Sequence, residues 1–432
     1  MTLRAASRLL CAAAAGGFLA LCAASAAPVT PDTGHKLYTG QDPRAAGGRL
    51  SRFACHSCHG RDGEGGVEGN VPGIAGKILQ APADLRPAYD LASFGAALRE
   101  GIHGSGRGLS RIMPRYDLSD AEVSALWGYL GDLPQRQRMG VTASEVTFGV
   151  VIDADRPDIG LRYVQGLHAA LARALPSGTV HGRAVRIIAM RAPVAQADTV
   201  IAALAMPPGQ GDVTGPLTAA GLPVLFSLGA LTGSEDPSIQ RSFMPTQRDV
   251  NGAIAQHLST TPARRIALLA EAGRAEALAR MIRLSMPQAE VWRILDPSPE
   301  GLTQGAPDAI VDLLGLPLEA APTGTILYHL ASHGALVAAP DGHPRFVVIE
   351  APALVQFALD VGSDPIAAQA GLAARVLSEA LIRAGRDLTR TRLVSVLGQV
   401  SLGPEGLDYA RLPLSGTDYV QILPLLQRHA DR

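Results

Sequence analysis

The chain has 432 residues, of which 47% are hydrophobic and 18% charged, with a formal net charge of -1. This composition is that of an ordinary globular protein with sizeable cores, and the length suits two or three domains. The near-neutral charge balance provides no basic surface for phosphate groups, so a nucleic-acid partner is not expected.

Residues 1–27 have the pattern of a secretory signal peptide. Arg4 and Arg8 form a positive start, an apolar run follows, and small residues at 24–26 precede the expected cleavage point. Cys22 offers an alternative as a lipidated residue, but the bulky residue before it disfavours that interpretation. The apolar run is short for a bilayer span, and no later segment is long and apolar enough. We therefore expect a periplasmic protein whose mature chain has no membrane span.

The motif CHSCH at residues 55–59 contains the two cysteines expected in the mature chain, because the other two lie in the signal region. Such a motif is found in c-type haem attachment, in thiol redox pairs and in zinc sites. A disulfide between Cys55 and Cys58 would close a very small loop and stabilise little. Zinc would need further soft ligands. In haem attachment, the two thiolates bond the two vinyl groups and His59 ligates the iron.

Met113 lies in the glycine-rich segment GIHGSGRGLSRIMPRYDLS, just before a helix that begins at a capping box, Ser119–Glu122. A haem iron bound by one histidine takes a sixth ligand, and this position makes Met113 the expected one. Met113 as an ordinary core methionine and His103 as the ligand are the alternatives. The helix after the capping box has one apolar face, formed by Val123, Leu126, Trp127 and Leu130.

Four stretches resemble, in order, the motifs of small class I cytochromes c over residues 34–133: GHKLYTG, ACHSCHGRDGEGG, VPGIAGK and IMPRYDLSDAEVSALWGYL. The resemblance implies an all-α cytochrome c domain at residues 28–135 with one covalently attached haem c. It assigns two thioether cysteines and two axial iron ligands: Cys55, Cys58, His59 and Met113. It also implies that Pro72 supports the histidine side. With both axial positions filled, electron transfer is expected and oxygen chemistry is not.

A short polar linker is predicted at residues 136–143, and strand-like and helix-like segments alternate after it. The strand-like segments are VTFGVVID, AVRIIAM, LPVLFSL, RRIALLA, AEVWRIL, DAIVDLL and RFVVIE. The helical ones include DVNGAIAQHL, AEALARMIRL and AAQAGLAARVLSEALIRAG. A further helical pattern has five apolar residues on one face: Leu161, Val164, Leu167, Leu171 and Leu175. This alternation predicts parallel α/β sheets, and the length predicts two lobes.

Residues 144–432 resemble the type I periplasmic binding proteins, in the branch that includes branched-chain amino acid receptors. Stretches that carry the resemblance include VTFGVVIDADRPDIGLRYVQGLHAAL, TGPLTAAGLPVLFSLGAL and FMPTQRDVNGAIAQHL. It implies a two-lobed α/β domain that closes on a small molecule. The cleft residues that it implies are Asp153, Asp155, Ser227 and Gly229. Asp153 and Asp155 are equally consistent with solvated turn residues.

One stretch departs from this family. Residues 271–274, EAGR, stand where the family commonly has an aromatic and acidic stretch that touches the ligand. This argues against an α-amino acid as ligand and is compatible with a cleft that no longer captures a solute. His329 and His333 have the spacing of a metal-binding pair on a helix, but ordinary polar placement is the expectation.

Two functions remain as hypotheses. The first is a periplasmic c-type cytochrome that transfers electrons to or from a partner such as a dehydrogenase or an oxidase. Its binding-protein-like part would dock that partner or sense a small molecule. The second is a solute-binding receptor of the ABC-transporter type that carries a haem domain. We do not expect an enzyme, because Met113 would fill the iron position that a peroxidase keeps open.

Overall fold

The computed structural model describes residues 32–41, 54–66, 69–83, 86–204, 214–228, 231–232, 235–316, 318, 320–331, 342–352, 354–355, 364–403 and 406–425. The chain divides into two compact units. One contains the residues up to Cys55 together with Leu79–Leu130, and the other contains His56–Ile78 and the chain from Gly131 onward. The expected signal peptide and Gly229 lie outside the described residues.

The N-terminal part of the chain is helical, as the sequence predicts. Its helices are α1 (Thr33–Thr39), α2 (Cys55–His59), α3 (Gly76–Leu79), α4 (Leu91–Arg99) and α5 (Asp120–Arg136). The predicted capping box is present at the start of α5, where the Ser119 amide donates to Oε2 of Glu122 at 2.8 Å. The Glu122 amide donates to Oγ of Ser119 at 3.3 Å in return.

The predicted apolar face of α5 is buried except for one residue, which is half-buried. Val123, Leu126 and Leu130 are buried, whereas Trp127 is half-buried and packs against Phe94 with ring centroids 5.2 Å apart. Phe94 lies on α4, a helix that the sequence analysis does not identify and that begins at its own capping box.

The first lobe of the α/β fold contains one mainly parallel sheet. Its strand order is β2-β3-β1-β4-β5-β6, and the pair β2–β3 is antiparallel. The strands are β1 (Glu145–Val151), β2 (Thr179–Val180), β3 (Arg183–Met190), β4 (Ala202–Leu204), β5 (Val224–Ser227) and β6 (Gln240–Ser242). The helices along this stretch are α6 (Pro157–Ala174) and α7 (Thr214–Ala219).

The second lobe repeats this architecture with strand order β14-β11-β10-β9-β7-β8, in which β14 pairs antiparallel. Its strands are β7 (Arg265–Leu269), β8 (Glu290–Arg293), β9 (Ala309–Asp312), β10 (Ile326–Leu330), β11 (Arg345–Ile349) and β14 (Gln421–Pro424). The helices are α8 (Gln247–Ser259), α9 (Ala272–Ser285) and α10 (Pro299–Thr303).

The chain then returns to the first lobe before it adds β14 to the second. The returning elements are α11 (Pro365–Ala384), α12 (Arg390–Leu397) and the short hairpin β12 (Ser401–Leu402) and β13 (Leu407–Asp408). Their buried residues share one apolar core with β1, β4, β5 and α6. The first lobe is therefore completed by residues that follow most of the second lobe in sequence, and a fold of two α/β lobes is observed as expected.

Each strand-like segment of the sequence analysis contains an observed strand. The structure also places Leu161 and His329, two residues that the sequence analysis discusses. Leu161 is 39% exposed, and the buried aromatic of α6 is Tyr163. His329 lies on strand β10 and not on a helix, so helical spacing to His333 does not apply; His333 lies outside the described residues. Within the described parts of the chain, no helix combines the length and the hydrophobicity that crossing a bilayer requires.

Candidate haem site and ligand cleft

Cys55 and Cys58 lie one helical turn apart on α2, so their side chains share a face of the helix. Both cysteines are half-buried and no disulfide joins them. Two thiols on one face of a short helix have the spacing that attachment to two points of one planar group requires.

His59 ends α2, and its ring is held from one side. Nδ1 of His59 lies 2.7 Å from the carbonyl oxygen of Pro72, and because a carbonyl only accepts, Nδ1 carries the proton and donates. Burial lowers the pKa of His59, which the bond to Pro72 partly opposes. The lowered pKa favours the neutral ring, and with Nδ1 donating to Pro72 the Nε2 atom keeps a lone pair for a metal. The role of Pro72 expected from the resemblance is consistent with this contact.

The loop after α2 brings Pro72 back to His59. The Gly65 amide donates to the His59 carbonyl at 2.8 Å, and Gly66 donates to the Val71 carbonyl at 2.9 Å. Gly65 has a φ of +83°, and a Cβ at this position would lie 2.5 Å from the Val71 carbonyl oxygen. Only glycine permits this backbone conformation and this close approach.

Met113 belongs to the other compact unit and is half-buried. Its carbonyl accepts a hydrogen bond from Nη1 of Arg115 at 2.6 Å, and its amide donates to the Ser110 carbonyl at 3.2 Å. These bonds fix the backbone of the loop and leave the thioether uninvolved. Met113 as an axial ligand therefore stays a prediction. His103, the alternative, is close to Ser105, with 2.8 Å between Nδ1 and Oγ.

The residues of the motif fit a c-type haem. Cys55 and Cys58 provide a pair of thiols on one helical face, and His59 provides a neutral imidazole whose Nδ1 is already committed to a carbonyl. An imidazole oriented by a hydrogen bond from its second nitrogen is the usual arrangement for a histidine that ligates a metal.

The residues that follow the motif are held by an ion pair that the sequence analysis did not identify. We call residues 56–66 the attachment segment. Within it, the guanidinium of Arg61 donates to the carboxylate of Asp236 and, through Nε, to Oγ of Ser238 at 2.6 Å. Asp236 and Ser238 lie in the connection between β5 and β6. Partial burial acts to raise the pKa of Asp236, but the hydrogen bonds with Ser238 and the nearby Arg61 guanidinium outweigh it, so the pKa is lowered.

The backbone of Arg61 is held as well. Its carbonyl accepts a hydrogen bond from Nε2 of Gln137 at 3.1 Å. Oε1 of Gln137 accepts from both the amide and the hydroxyl of Thr391, at 3.0 Å each. Gln137 is buried and lies inside the predicted linker. The side chain thus joins the attachment segment to helix α12.

At the carboxyl end of the first lobe's strand β1, Asp153 and Asp155 follow the strand. Oδ1 of Asp153 accepts the Asp155 amide at 2.9 Å, and Arg156 lies 3.9 Å from Oδ2. Asp155 is exposed. Both aspartates therefore have the contacts of turn residues, which is the alternative that the sequence left open.

Ser227 is positioned by an irregularity at the end of β5. The register between β5 and β6 shifts between Leu225 and Ser227. Phe226, between them, has a φ of +62° and stacks on Phe243 with ring centroids 4.9 Å apart. Such a backbone conformation in a non-glycine residue costs about 1–3 kcal/mol and occurs most often at functional sites. The irregularity lies directly before Ser227, the last residue of β5.

At the equivalent edge of the second lobe, His329 and Asp312 are buried side by side at the ends of β10 and β9. The Asp312 carboxylate accepts the amides of the three loop residues Leu314, Gly315 and Leu316. Nδ1 of His329 lies 3.4 Å from Oδ2 of Asp312. Neither ring nitrogen of His329 has a hydrogen-bond partner within the described residues.

Arg274 and Glu350 form a second charged pair in this lobe, with 3.8 Å between Nη2 and Oε1. Arg274 is near the start of α9 and Glu350 directly follows β11. Burial lowers the pKa of Arg274, and Glu350 and Glu271 oppose this. In the part of the chain that is described, Nε and Nη2 of Arg274 are buried without a hydrogen-bond partner. The sequence analysis notes Arg274 only because residues 271–274 depart from the family's pattern. Its contact with Glu350 joins residues that are far apart in the sequence, so a local pattern does not reveal it.

The cytochrome c family model matches residues 44–134. A search of curated proteins gave no match. Similar solved structures include a substrate-binding periplasmic protein from Ralstonia solanacearum, 18% identical over 65% of this chain and 97% of that chain, with a TM-score of 0.47. A putative branched-chain amino acid ABC transporter from Rhodospirillum rubrum is 17% identical over 66% and 98%, with a TM-score of 0.45. A fatty acid ABC transporter substrate-binding protein from Thermomonospora curvata is 13% identical over 67% and 90%, with a TM-score of 0.49.

The chain therefore has a region that matches the cytochrome c family model, residues 44–134, and this region is followed in sequence by two α/β lobes, each built on a six-stranded sheet.

Proposed function

We propose that this protein is a periplasmic c-type cytochrome that carries electrons, and that its binding-protein-like part docks a redox partner or senses a small molecule. The observation that carries the proposal is the pair of half-buried thiols of α2 followed by an imidazole whose Nδ1 is bonded to Pro72. In this proposal the domains are a signal peptide at 1–27, the haem domain at 28–135, a linker at 136–143 and the two-lobed domain at 144–432.

Cys55 and Cys58 would hold one haem c through thioether bonds, and His59 and Met113 would be its axial ligands. A haem c with these ligands supplies reversible one-electron chemistry. The chain's own residues bind and orient it: the Pro72 carbonyl fixes the His59 ring, and the loop glycines let the backbone turn closely. A periplasmic dehydrogenase or oxidase is the class of partner that such a carrier serves.

The test is the absorption spectrum of the full-length protein from a host that matures c-type cytochromes. We expect sharp reduced α and β bands in the wild type, and their loss in Cys58→Ala. His56→Gln, a change in a half-buried histidine of the same helix, is the matched control and should keep the bands. A wild-type protein without these bands would refute haem attachment.

The sixth ligand needs a separate test. We expect Met113→Leu to lower the midpoint potential and change the ferric spectrum, because a thioether favours the reduced iron. Met281→Leu, a partly buried methionine of the second lobe, is the control. If His103→Gln changes the spectrum and Met113→Leu does not, the ligand assignment is wrong.

A second candidate function is small-molecule binding by the two lobes. It is favoured by His329 and Arg274, whose buried nitrogen atoms have no hydrogen-bond partner in the described chain. Buried polar groups in proteins normally have one, so another molecule at this edge is a natural supplier. Leucine, benzoate and a medium-chain fatty acid, which represent an amino acid, an aromatic acid and an apolar acid, are the probes for calorimetry. If none of the three probes gives a heat of binding, this candidate function loses its support.

A further inference from the structure

Arg61 is joined to the first lobe from two directions, although it follows the proposed iron ligand by only two residues. Its side chain bonds Asp236 and Ser238, and its carbonyl bonds Gln137. The side chain of Arg61 is only 18% exposed, so these bonds are partly shielded from water. Charge-assisted hydrogen bonds in such surroundings are stronger than those between neutral groups.

Both connections lead to the same helix, α12. Gln137 is bonded to Thr391 at the start of α12. On the other side, Arg241 donates through Nη1 to the Pro237 carbonyl, between the two residues that bond Arg61. Its Nη2 donates to the Val394 carbonyl of α12 at 2.8 Å. The turn that receives the Arg61 guanidinium is therefore itself fixed to α12.

Helix α12 is in turn anchored in the first lobe. Arg390, its first residue, is buried, and its guanidinium donates to the carbonyl oxygens of Ala197, Val200 and Gly221 at 2.6, 2.9 and 3.2 Å. A rigid support that touches a segment at two points restricts its motion more than either contact does alone.

We propose that Arg61 is a positioning residue that fixes the attachment segment to α12, and thereby makes the redox properties of the haem depend on the first lobe. Asp236 and Ser238, which lie between β5 and β6, are part of this support. A change in the first lobe that moves Asp236 therefore acts directly on the attachment segment, which contains His59. This inference rests on the proposed function only in taking His59 as an iron ligand.

The test uses Arg61→Gln, Asp236→Asn and the double variant in the full-length protein, with hydrogen exchange of the attachment segment as the first measurement. We expect exchange to become about tenfold faster in each single variant, which corresponds to about 1.4 kcal/mol. The double variant should be no faster than the singles, because all three lose the same contact. Arg280→Gln and Asp158→Asn, both at exposed positions on helices, should leave this exchange unchanged.

The midpoint potential separates positioning from a simple charge effect. If Arg61 positions the segment, both single variants shift the potential in the same direction. If Arg61 acted only through its charge, Arg61→Gln and Asp236→Asn would shift the midpoint potential in opposite directions, and the proposal would be wrong. Arg61→Lys, which keeps the charge but not the two-point contact, should show an intermediate exchange rate.

Two further outcomes are distinguishable. Should Arg61→Gln fail to fold, Ser238→Ala removes one hydrogen bond of the same contact and should give a smaller increase in exchange. Hydrogen exchange is measurable whether or not haem is attached, so a protein without haem would refute the proposed function and still decide the role of Arg61. If the attachment segment exchanges at the wild-type rate in both single variants, the proposal is overturned.

Discussion

The two lobes have similar sheets but differ at the carboxyl ends of their strands. In the first lobe, Asp153 accepts the Asp155 amide, and both residues have the contacts of a surface turn. In the second lobe, His329 and Arg274 are buried with nitrogen atoms that lack hydrogen-bond partners in the described chain. Because burying a polar group without a partner costs free energy, we expect substitutions in the two lobes to have different effects on stability.

The largest effect that distinguishes the lobes is expected at Arg390. Its guanidinium donates to three carbonyl oxygens of the first lobe, and Arg390→Met would leave them without that donor. Hydrogen bonds to charged groups contribute about 1.5–3 kcal/mol each, so we expect a loss of about 3 kcal/mol or more in the free energy of unfolding. Urea unfolding measures it. The exposed Arg280→Met is the control, and an equal loss there would contradict the role of Arg390.

The charged pair of the second lobe should behave differently. Arg274→Met alone would remove the positive charge that lies 3.8 Å from the buried Glu350 carboxylate, at a cost of about 3 kcal/mol. The double variant Arg274→Met with Glu350→Gln should regain most of that stability and unfold within about 1 kcal/mol of the wild type. The comparison is made by urea unfolding of the three variants. A double variant as unstable as the single one would show that the pair supports the fold.

A smaller effect with the opposite sign is expected at His329. Neither ring nitrogen has a hydrogen-bond partner in the described structure, so His329→Leu should raise the free energy of unfolding by about 1 kcal/mol. His257 is the matched control, because its Nδ1 lies 2.8 Å from Oη of Tyr328 and His257→Leu should destabilise. Thermal unfolding of both variants checks the two signs. Destabilisation by His329→Leu would remove the contrast between the lobes.

The smallest effect concerns pH and Asp364, which caps α11 in the first lobe. The Ala367 amide, followed by the Ile366 amide and Arg162, holds the pKa of Asp364 below its usual range. Its folded pKa lies below its unfolded value of about 3.9, so the stabilisation is present above that pH and is lost as the pH falls through the folded pKa. Asp364→Asn should therefore flatten the fall in stability below about pH 4. Unfolding midpoints at pH 3, 4 and 7 measure this; parallel curves for both proteins would contradict it.

The sequence predicts best what depends on neighbouring residues. The CHSCH motif, the Ser119–Glu122 capping box and the strand at RRIALLA are local patterns, and the structure has a helix or strand at each. The exposed Leu161 shows the limit of periodicity, because an apolar residue at the margin of a face can lie outside the core. Strand β10 is not identified in the sequence analysis, and the polar His329 interrupts its apolar run.

Contacts between distant residues could not be predicted. Arg61 and Asp236 are 175 residues apart, and nothing in either local sequence marks the partner. The same holds for Arg274 and Glu350, which meet only because β7 and β11 belong to one sheet. The cleft edges are therefore the least predictable part of the molecule, since their chemistry arises where separate strands end together.

The bond between Gln137 and Thr391 has a consequence for biogenesis, because 254 residues separate its two ends. A chain that crosses a membrane from its N-terminus exposes the thiols of Cys55 and Cys58 long before α12 arrives. In the proposed function, the haem-attachment machinery would then meet a motif whose Gln137–Thr391 support has not yet formed. Truncation before residue 391 should accordingly permit haem attachment to Cys55 and Cys58, while the hydrogen bonds between Gln137 and Thr391 cannot form.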